Sequence, residues 1–161
     1  LNTVVLPLLA RTGNAAYAER LDDTTIFRAE SSRAKLLAGA TIDTDMPGVK
    51  FYEKEYAYDG DESTFFWTPY SDLEGEHFTV TLDSPAHTRR VAVVFDDSKE
   101  YPHGAVLEAS ADGKTYYKVA DEVKGGRMEA RFKTQRKVKS LRLRLTREQQ
   151  NRLTIREFYF R

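Results

Sequence analysis

The fold of this chain follows from residues 106–119, which read VLEASADGKTYYKV. Two short runs of alternating character, Val106–Ala109 and Tyr116–Val119, lie on either side of the turn sequence ADGK at 111–114. Alternation with a period of two is typical of strands that bury one face. Gly113 tolerates the positive φ that tight hairpins require, so these residues predict an antiparallel β-hairpin.

Similar short runs continue on both sides of this hairpin, without helical spacers between them. In one run Leu141, Leu143 and Leu145 alternate with arginines, which predicts one buried and one solvent-facing surface, as in an antiparallel sheet. About eight short strands joined by turns favour an all-β fold, an antiparallel jelly-roll β-sandwich, over a parallel α/β sheet. The predicted strands are 49–52, 77–82, 90–95, 106–109, 116–119, 127–132, 141–145 and 155–160.

Residues 1–45 differ in composition from the rest, because Ala, Leu and Arg dominate and apolar residues recur at loosely helical intervals. We predict one or two helices here, the second around residues 28–37, and a boundary at Met46-Pro47-Gly48. The sequence therefore predicts a short helical leader at 1–45, the end of an upstream domain, followed by a β-sandwich at 46–161. Because the first residue is Leu1 and an apolar run follows it, we expect the chain to be a C-terminal piece of a longer protein.

The composition argues against several classes of function. With 25 basic and 25 acidic residues the formal charge is zero and no basic block stands out, so we expect no nucleic-acid partner. No apolar run approaches the roughly 18 residues that span a bilayer, so we expect no membrane partner. The absence of cysteine excludes disulfides and thiolate chemistry. We interpret one group of cations near a predicted hairpin as solvated surface: Arg131, Lys133, Arg136, Lys137 and Lys139.

Three segments, taken in order, resemble a known family. The stretch AYDGDEST at 57–64, followed by aromatic residues to Trp67, resembles the opening of discoidin-type domains and family 32 carbohydrate-binding modules. The stretch LEASADGKTY at 107–116 resembles their central hairpin, and IREFYF at 155–160 resembles their last strand. The resemblance covers residues 48–161 and implies the galactose-binding-like jelly roll of the coagulation factor 5/8 C-type family.

The chain as a whole, with its helical leader and the turn Glu148-Gln149-Gln150 before the last strand, is similar to the C-terminal region of bacterial β-N-acetylglucosaminidases of glycoside hydrolase family 84. Relatives of family 20 remain an alternative. This resemblance implies that residues 1–45 end a helical region behind a catalytic barrel, and that the upstream catalytic domain is a partner of the sandwich. It also implies a secreted or periplasmic parent enzyme, and therefore an extracellular or periplasmic location.

The family resemblance further implies a structural Ca²⁺ in the opening loop, held by carboxylate and carbonyl oxygens. Asp59, Asp61, Thr64 and the late Glu157 occupy the matching positions. An Asp-Gly turn with solvated acidic side chains is the alternative explanation of the same residues. A metal here would be structural and would take no part in catalysis.

Sugar recognition calls for an aromatic ring that stacks on the C–H groups of a pyranose, with planar polar side chains nearby for the hydroxyl groups. Two segments offer this combination, one at 67–76 and one at 96–103. The alternatives are that Trp67 belongs to the core and that Tyr101-Pro102 only shapes a turn. The predicted carbohydrate site comprises Trp67, Tyr70, Asp97, Tyr101 and His103.

Catalysis by this chain itself is not indicated. Its three histidines lie in unrelated segments, and adjacent acids such as Asp96-Asp97 diverge on an extended backbone, whereas glycoside hydrolysis needs two carboxyl groups that face each other. The sequence therefore predicts a non-catalytic accessory module of a glycoside hydrolase that binds a glycan or amino sugar. The alternative is a structural domain that packs on the catalytic domain or on a protein partner, with no sugar site. A protein-recognition domain would carry exposed apolar residues at a loop tip, which the sequence does not predict.

Overall fold

The computed structural model of this chain describes residues 35–70, 72–96 and 98–161. The chain divides into two compact units, Leu1–Lys35 and Leu36–Arg161, and the account below concerns the second. Of the predicted helical leader, residues 1–34 lie outside the described residues, and helical backbone is present at 35–38. None of the helical segments among the described residues has the length and apolar content needed to cross a membrane.

Antiparallel strands form most of the regular structure of the second unit. The main sheet has the strand order β1-β3-β6-β4-β5, with β8 also paired to β3, and β2 pairs with β7 in a small second sheet. A short 3₁₀ helix, Lys54–Tyr58, precedes β2. The strands are β1 (Ala40–Thr44), β2 (Phe66–Trp67), β3 (His77–Val94), β4 (Ala105–Ser110), β5 (Tyr117–Ala120), β6 (Arg127–Leu145), β7 (Thr154–Ile155) and β8 (Glu157–Phe160).

One long antiparallel pair, formed by the 18 residues of β3 and the 19 residues of β6, contributes to both layers of the fold. Its register is irregular between Thr81 and Ala86, where the strands bend. Phe78 in the first half of β3 stacks on Phe158 of β8, with 5.4 Å between the ring centroids, whereas β8 is hydrogen-bonded to the second half of β3. The two halves of β3 therefore face each other across the core, which confirms the predicted all-β jelly-roll β-sandwich.

The predicted alternation of β6 is confirmed. Leu141, Leu143 and Leu145 are fully buried, whereas Arg142 and Arg144 between them are partly exposed. Each buried leucine contributes about 1.5–3 kcal/mol relative to an exposed one, so this face of β6 supplies a large part of the core free energy.

The predicted hairpin at 106–119 is also confirmed, since β4 and β5 pair from Leu107↔Ala120 to Ala109↔Tyr117. Asp112 organises the connection, because its Oδ1 accepts hydrogen bonds from Lys114 N and Thr115 N at 2.8 and 3.0 Å. These backbone hydrogen bonds, with one from Ser110, lower the pKa of Asp112 to about 2. Gly113 has φ of 81°, as the turn sequence predicts.

Several strand boundaries are wrong. The predicted strands 77–82 and 90–95 are two parts of β3, and 127–132 and 141–145 are two parts of β6. Residues 49–52 form a turn instead of a strand, because Phe51 has φ of 74°, outside the region that strands use.

The predicted start of the sandwich at residue 46 differs from the structure. Residues 40–44, expected in the helical leader, form β1 and pair with β3 from Ala40↔Leu82 to Thr44↔Phe78. Their alternation supports a strand, because Thr41 and Asp43 are exposed while the residues between them are partly buried. The sheet therefore includes this segment.

Candidate functional site

Gln149 connects the two segments in which the sugar site is predicted. Its Oε1 accepts a hydrogen bond from His103 N at 2.7 Å, and its Nε2 donates to His103 O at 3.1 Å. Its backbone N donates to Asp72 O at 2.9 Å. Because Gln149 is buried, these bonds hold the 99–104 loop and the 68–73 loop beside each other at one end of the sandwich.

Two neighbours of Gln149 reinforce this connection. Asn151 Nδ2 donates to Lys99 O at 2.8 Å, and Arg152 Nε donates to Thr68 O at 2.9 Å. Leu153 N donates to Thr68 Oγ1 at 2.8 Å. Nothing in the sequence assigns Gln149, Asn151 or Arg152 to this site, because polar residues before a last strand look like an ordinary solvated loop.

Trp67 is half-buried and fixed from several directions. Its Nε1 donates to Glu100 Oε1 at 3.2 Å, and the guanidinium carbon of Arg152 lies 3.6 Å from the ring centroid. Tyr52 meets the indole edge-on at 5.2 Å, and Tyr52 itself stacks on Phe65 at 5.0 Å. Arg152 therefore covers one face of the indole, so that face is not open to a ligand. Through its hydrogen bond to Glu100 and its contact with Arg152, Trp67 connects the two loops.

The other predicted residues of the sugar site differ in exposure. Tyr70 is 64% exposed and lies two residues beyond Thr68, on the loop that Arg152 holds. Tyr101 is partly buried, and its ring lies 4.7 Å from the exposed ring of His103. The structure thus brings Trp67, Tyr70, Tyr101 and His103 to the same end of the sandwich, whereas Asp97 lies outside the described residues.

Exposed apolar residues are present at loop positions, contrary to the expectation from sequence. Phe51 is 72% exposed, and its positive φ costs about 1–3 kcal/mol for a bulky residue. Leu73 is also exposed. The sequence could not predict this exposure, because Phe51 lies within a run, 49–52, that has the pattern of a half-buried strand.

The acidic residues of the opening loop form a pocket with the last strand. Asp59 is 5% exposed and Glu157 is 2% exposed. Thr64 Oγ1 donates to Asp59 Oδ2 at 2.6 Å, and Gly60 N donates to Glu157 Oε2 at 3.0 Å. Burial, followed by the negative charge of Asp59, raises the pKa of Glu157 to about 8.

This pocket fits a hard cation in part. Glu157 Oε1 is buried without a hydrogen-bond partner, which is the kind of oxygen that a metal ion would use. The carboxylate of Asp61 instead accepts hydrogen bonds from Ser63 N and Oγ at 2.8 and 2.6 Å, so it closes the turn. Of the predicted ligands, the structure therefore brings Asp59, Thr64 and Glu157 together. In the described residues no group of three or more His, Cys, Asp or Glu could hold a metal ion.

A second buried carboxyl group lies in the 68–73 loop. Asp72 is 1% exposed, and burial, together with the neighbouring Glu76, raises its pKa to about 7. A carboxyl group whose pKa is raised on folding stabilises the fold below about pH 4, and this stability is lost as the pH rises to about 7.

We therefore expect Asp72→Asn to raise the free energy of unfolding at pH 8 by roughly 1–3 kcal/mol, because the amide cannot ionise. Urea unfolding of both proteins at pH 4 and pH 8 measures the effect. At pH 4, where Asp72 is protonated, the two proteins should be nearly equal in stability. An equal difference at both pH values would contradict the assignment of the effect to this carboxyl group.

Several solved structures share this architecture. Module CBM32-1 of a family 31 glycoside hydrolase from Clostridium perfringens has a TM-score of 0.62 and 20% identity, over 74% of this chain and 91% of that chain. Chitosan-binding module 2 of a chitosanase/glucanase from Paenibacillus sp. IK-5, solved with chitotriose, has a TM-score of 0.61 and 18% identity, over 75% and 95%. The family 32 module of NanJ from C. perfringens, solved with galactose, has a TM-score of 0.59 and 15% identity, over 74% and 90%.

At these identities the similarity shows a shared fold. No curated protein matches the chain in sequence. The sequence model of the F5/8 type C domain matches residues 20–158, which include β1 and every other strand up to the beginning of β8. With that match spanning most of its length, the chain belongs to the F5/8 type C domain family.

Proposed function

We propose that the chain is a non-catalytic module that binds a glycan or amino sugar at the end of the sandwich where Trp67, Tyr70, Tyr101 and His103 meet. The observation that carries the proposal is the set of hydrogen bonds from Gln149 to both loops. These bonds preorganise the surface, so less conformational entropy is lost when a ligand binds.

Each side chain has a chemical role in this proposal. The exposed ring of Tyr70 offers a face for the C–H groups of a pyranose, and the exposed imidazole of His103 can bond to a hydroxyl group. Glu100 uses Oε1 to accept hydrogen bonds from Trp67 and Thr154, which leaves Oε2 for a sugar hydroxyl. Trp67 has a positioning role, because Arg152 covers one of its faces.

An enzyme that acts on glycans is the proposed parent protein. Structures with the same fold include a module of a family 31 glycoside hydrolase and a module of a chitosanase/glucanase. By concentrating the parent enzyme on its substrate, such a module raises the local concentration without changing the chemical step. A β-N-acetylglucosaminidase of family 84, with its catalytic domain upstream, remains the parent enzyme that we propose, with an extracellular or periplasmic location.

We also propose a structural Ca²⁺ at the pocket of Asp59, Thr64 and Glu157. The support is the buried Glu157 Oε1 without a partner, next to a second nearly buried carboxylate. A bound cation would offset the repulsion between the two carboxylates and tie the opening loop to the last strand.

Titration with galactose, N-acetylglucosamine, N-acetylgalactosamine and chitotriose tests the sugar site, with amide chemical shifts and calorimetry as readouts. We expect saturable shifts in residues 67–76 and 98–104. Tyr70→Ala should weaken binding about two- to tenfold, because stacking on an exposed ring contributes about 0.5–1.5 kcal/mol. Tyr117→Ala is the matched control, because it removes a partly exposed tyrosine of β5 outside the two loops.

The outcomes separate the hypotheses. Equal loss of affinity in both variants would contradict the assigned site, and an absence of shifts at millimolar sugar would contradict carbohydrate binding. A domain that packs on its catalytic domain or on another protein is the alternative function. The specific observation in its favour is the exposure of Phe51 and Leu73, which a partner protein could cover.

A further inference from the structure

From Arg131 to Arg147, the charged residues of β6 and of the two residues that follow it are all cations. Between Ala130 and Arg147 there is no aspartate or glutamate. The cations in this stretch are Arg131, Lys133, Arg136, Lys137, Lys139, Arg142, Arg144 and Arg147. The formal charge of the whole chain is zero, so this local excess is balanced by acids elsewhere.

Internal ion pairs neutralise only part of this charge. Glu108 accepts hydrogen bonds from Arg142 Nε and Arg144 Nε at 2.9 and 3.1 Å, and Glu129 pairs with Arg131 at 2.9 Å. Arg136 lies over the ring of Phe132, 4.6 Å from its centroid. Within this stretch, Lys133, Lys137 and Lys139 have no ion-pair partner among the residues that the structure describes.

The opposite strand adds no acid to this segment. In the register of β3 with β6, Lys137 lies opposite His87, Arg136 opposite Thr88, and Arg131 opposite Arg90. Glu129 lies between Arg90 and Arg131, at 3.9 and 2.9 Å from their Nε atoms, so the charge without an internal counterpart is that of the lysines further along β6. We call the paired segments 86–90 and 131–139 the basic arm.

The exposure of the basic arm favours an extended ligand. In the register of β6 with β3, residues 132–135 lie between the pairs Arg90↔Arg131 and Thr88↔Arg136 without partners of their own, so Lys133 and Gln135 belong to an irregular stretch that ends just before Lys137. All three side chains are exposed. Ammonium groups that alternate with an amide can bind carboxylates and hydroxyl groups at successive positions along a polymer.

We propose that the basic arm binds an acidic polysaccharide, a sugar polymer that carries carboxylate groups. Proteins bind single-stranded nucleic acids by stacking the bases on open aromatic faces. Arg136 covers the ring of Phe132, so a polysaccharide suits this surface better than a single-stranded nucleic acid does. The arm is separate from the loop surface of the sugar-site proposal, so the two proposals can fail independently.

The test uses the whole chain with sodium polygalacturonate as the probe, in affinity electrophoresis and calorimetry. We expect binding at low salt that is lost at about 1 M salt, where the screening length falls to about 3 Å. The double variant Lys133→Gln/Lys137→Gln should weaken binding at least about tenfold, because two direct charge contacts are removed.

Matched controls separate the arm from net charge and from the sugar site. Lys118→Gln/Lys124→Gln removes the same charge from lysines that pair with Asp121 and Glu122, and should change the affinity less than about twofold. Tyr70→Ala, which removes the stacking face of the sugar-site proposal, should weaken polygalacturonate binding less than Lys133→Gln/Lys137→Gln does. Three results would overturn the proposal: no binding by the wild-type chain, equal loss in the two lysine variants, or equally tight binding of single-stranded DNA.

Discussion

Replacement of Phe78 with alanine is expected to lower the free energy of unfolding by about 3–5 kcal/mol, the range for large buried aromatic residues. Phe78 is fully buried, and its ring lies 5.4 Å from that of Phe158 and 5.1 Å from that of Phe66. These three rings belong to β3, β8 and β2, so a cavity at this position would loosen the contact between the two layers. Equilibrium unfolding in urea, with circular dichroism as the readout, measures the loss.

Phe51→Ala is the matched control, because it makes the same chemical change at an exposed site. We expect a change within about 0.5 kcal/mol, since the ring of Phe51 buries little area and alanine is no better suited to its positive φ. A loss of less than about 1 kcal/mol for Phe78→Ala would show that the Phe78 ring is not part of a tightly packed core.

The fold class could be predicted from sequence because most strands keep the alternation of a half-buried sheet. Leu141, Leu143 and Leu145 show it most clearly, and all three are buried as predicted. The bend of the long β3–β6 pair could not be predicted, because alternation shifts by one residue between Val138 and Leu141, both buried. The two-residue strands β2 and β7 are too short to produce a periodic signal.

The residue types of the two loops can be read from the sequence, whereas the hydrogen bonds that join the loops cannot. Trp67 and Tyr101 were selected for their chemistry, and the structure brings their loops together through Glu100. The residue that joins the loops, Gln149, is buried, although its sequence context suggests a solvated turn. A buried polar residue is recognisable only when its hydrogen-bond partners are known, and here they lie 46 residues away.

Removal of the carboxylate of Glu157 is expected to abolish stabilisation of the fold by Ca²⁺. Without metal, the raised pKa of about 8 means that Glu157 stabilises the fold below its unfolded pKa and that this contribution is lost as the pH rises towards 8. The proposed Ca²⁺ would bind the ionised carboxylate, so its effect should be larger at pH 8 than at pH 5. At one hundred times the dissociation constant, the wild-type chain should gain about 2.7 kcal/mol.

Thermal and urea unfolding of Glu157→Gln, with Ca²⁺ and with EDTA, tests this expectation. At pH 8 in EDTA the variant should be more stable than the wild-type chain, because glutamine cannot place a charge beside Asp59. Addition of Ca²⁺ should no longer raise the free energy of unfolding of the variant. Asp61→Asn is the control and should keep the gain, because the Asp61 carboxylate closes the turn through Ser63. If Ca²⁺ still stabilised Glu157→Gln against unfolding, the metal would bind elsewhere. Greater stability of the variant, with no effect of Ca²⁺ on the wild-type chain, would mean that a proton shared by Asp59 and Glu157 takes the role of the cation.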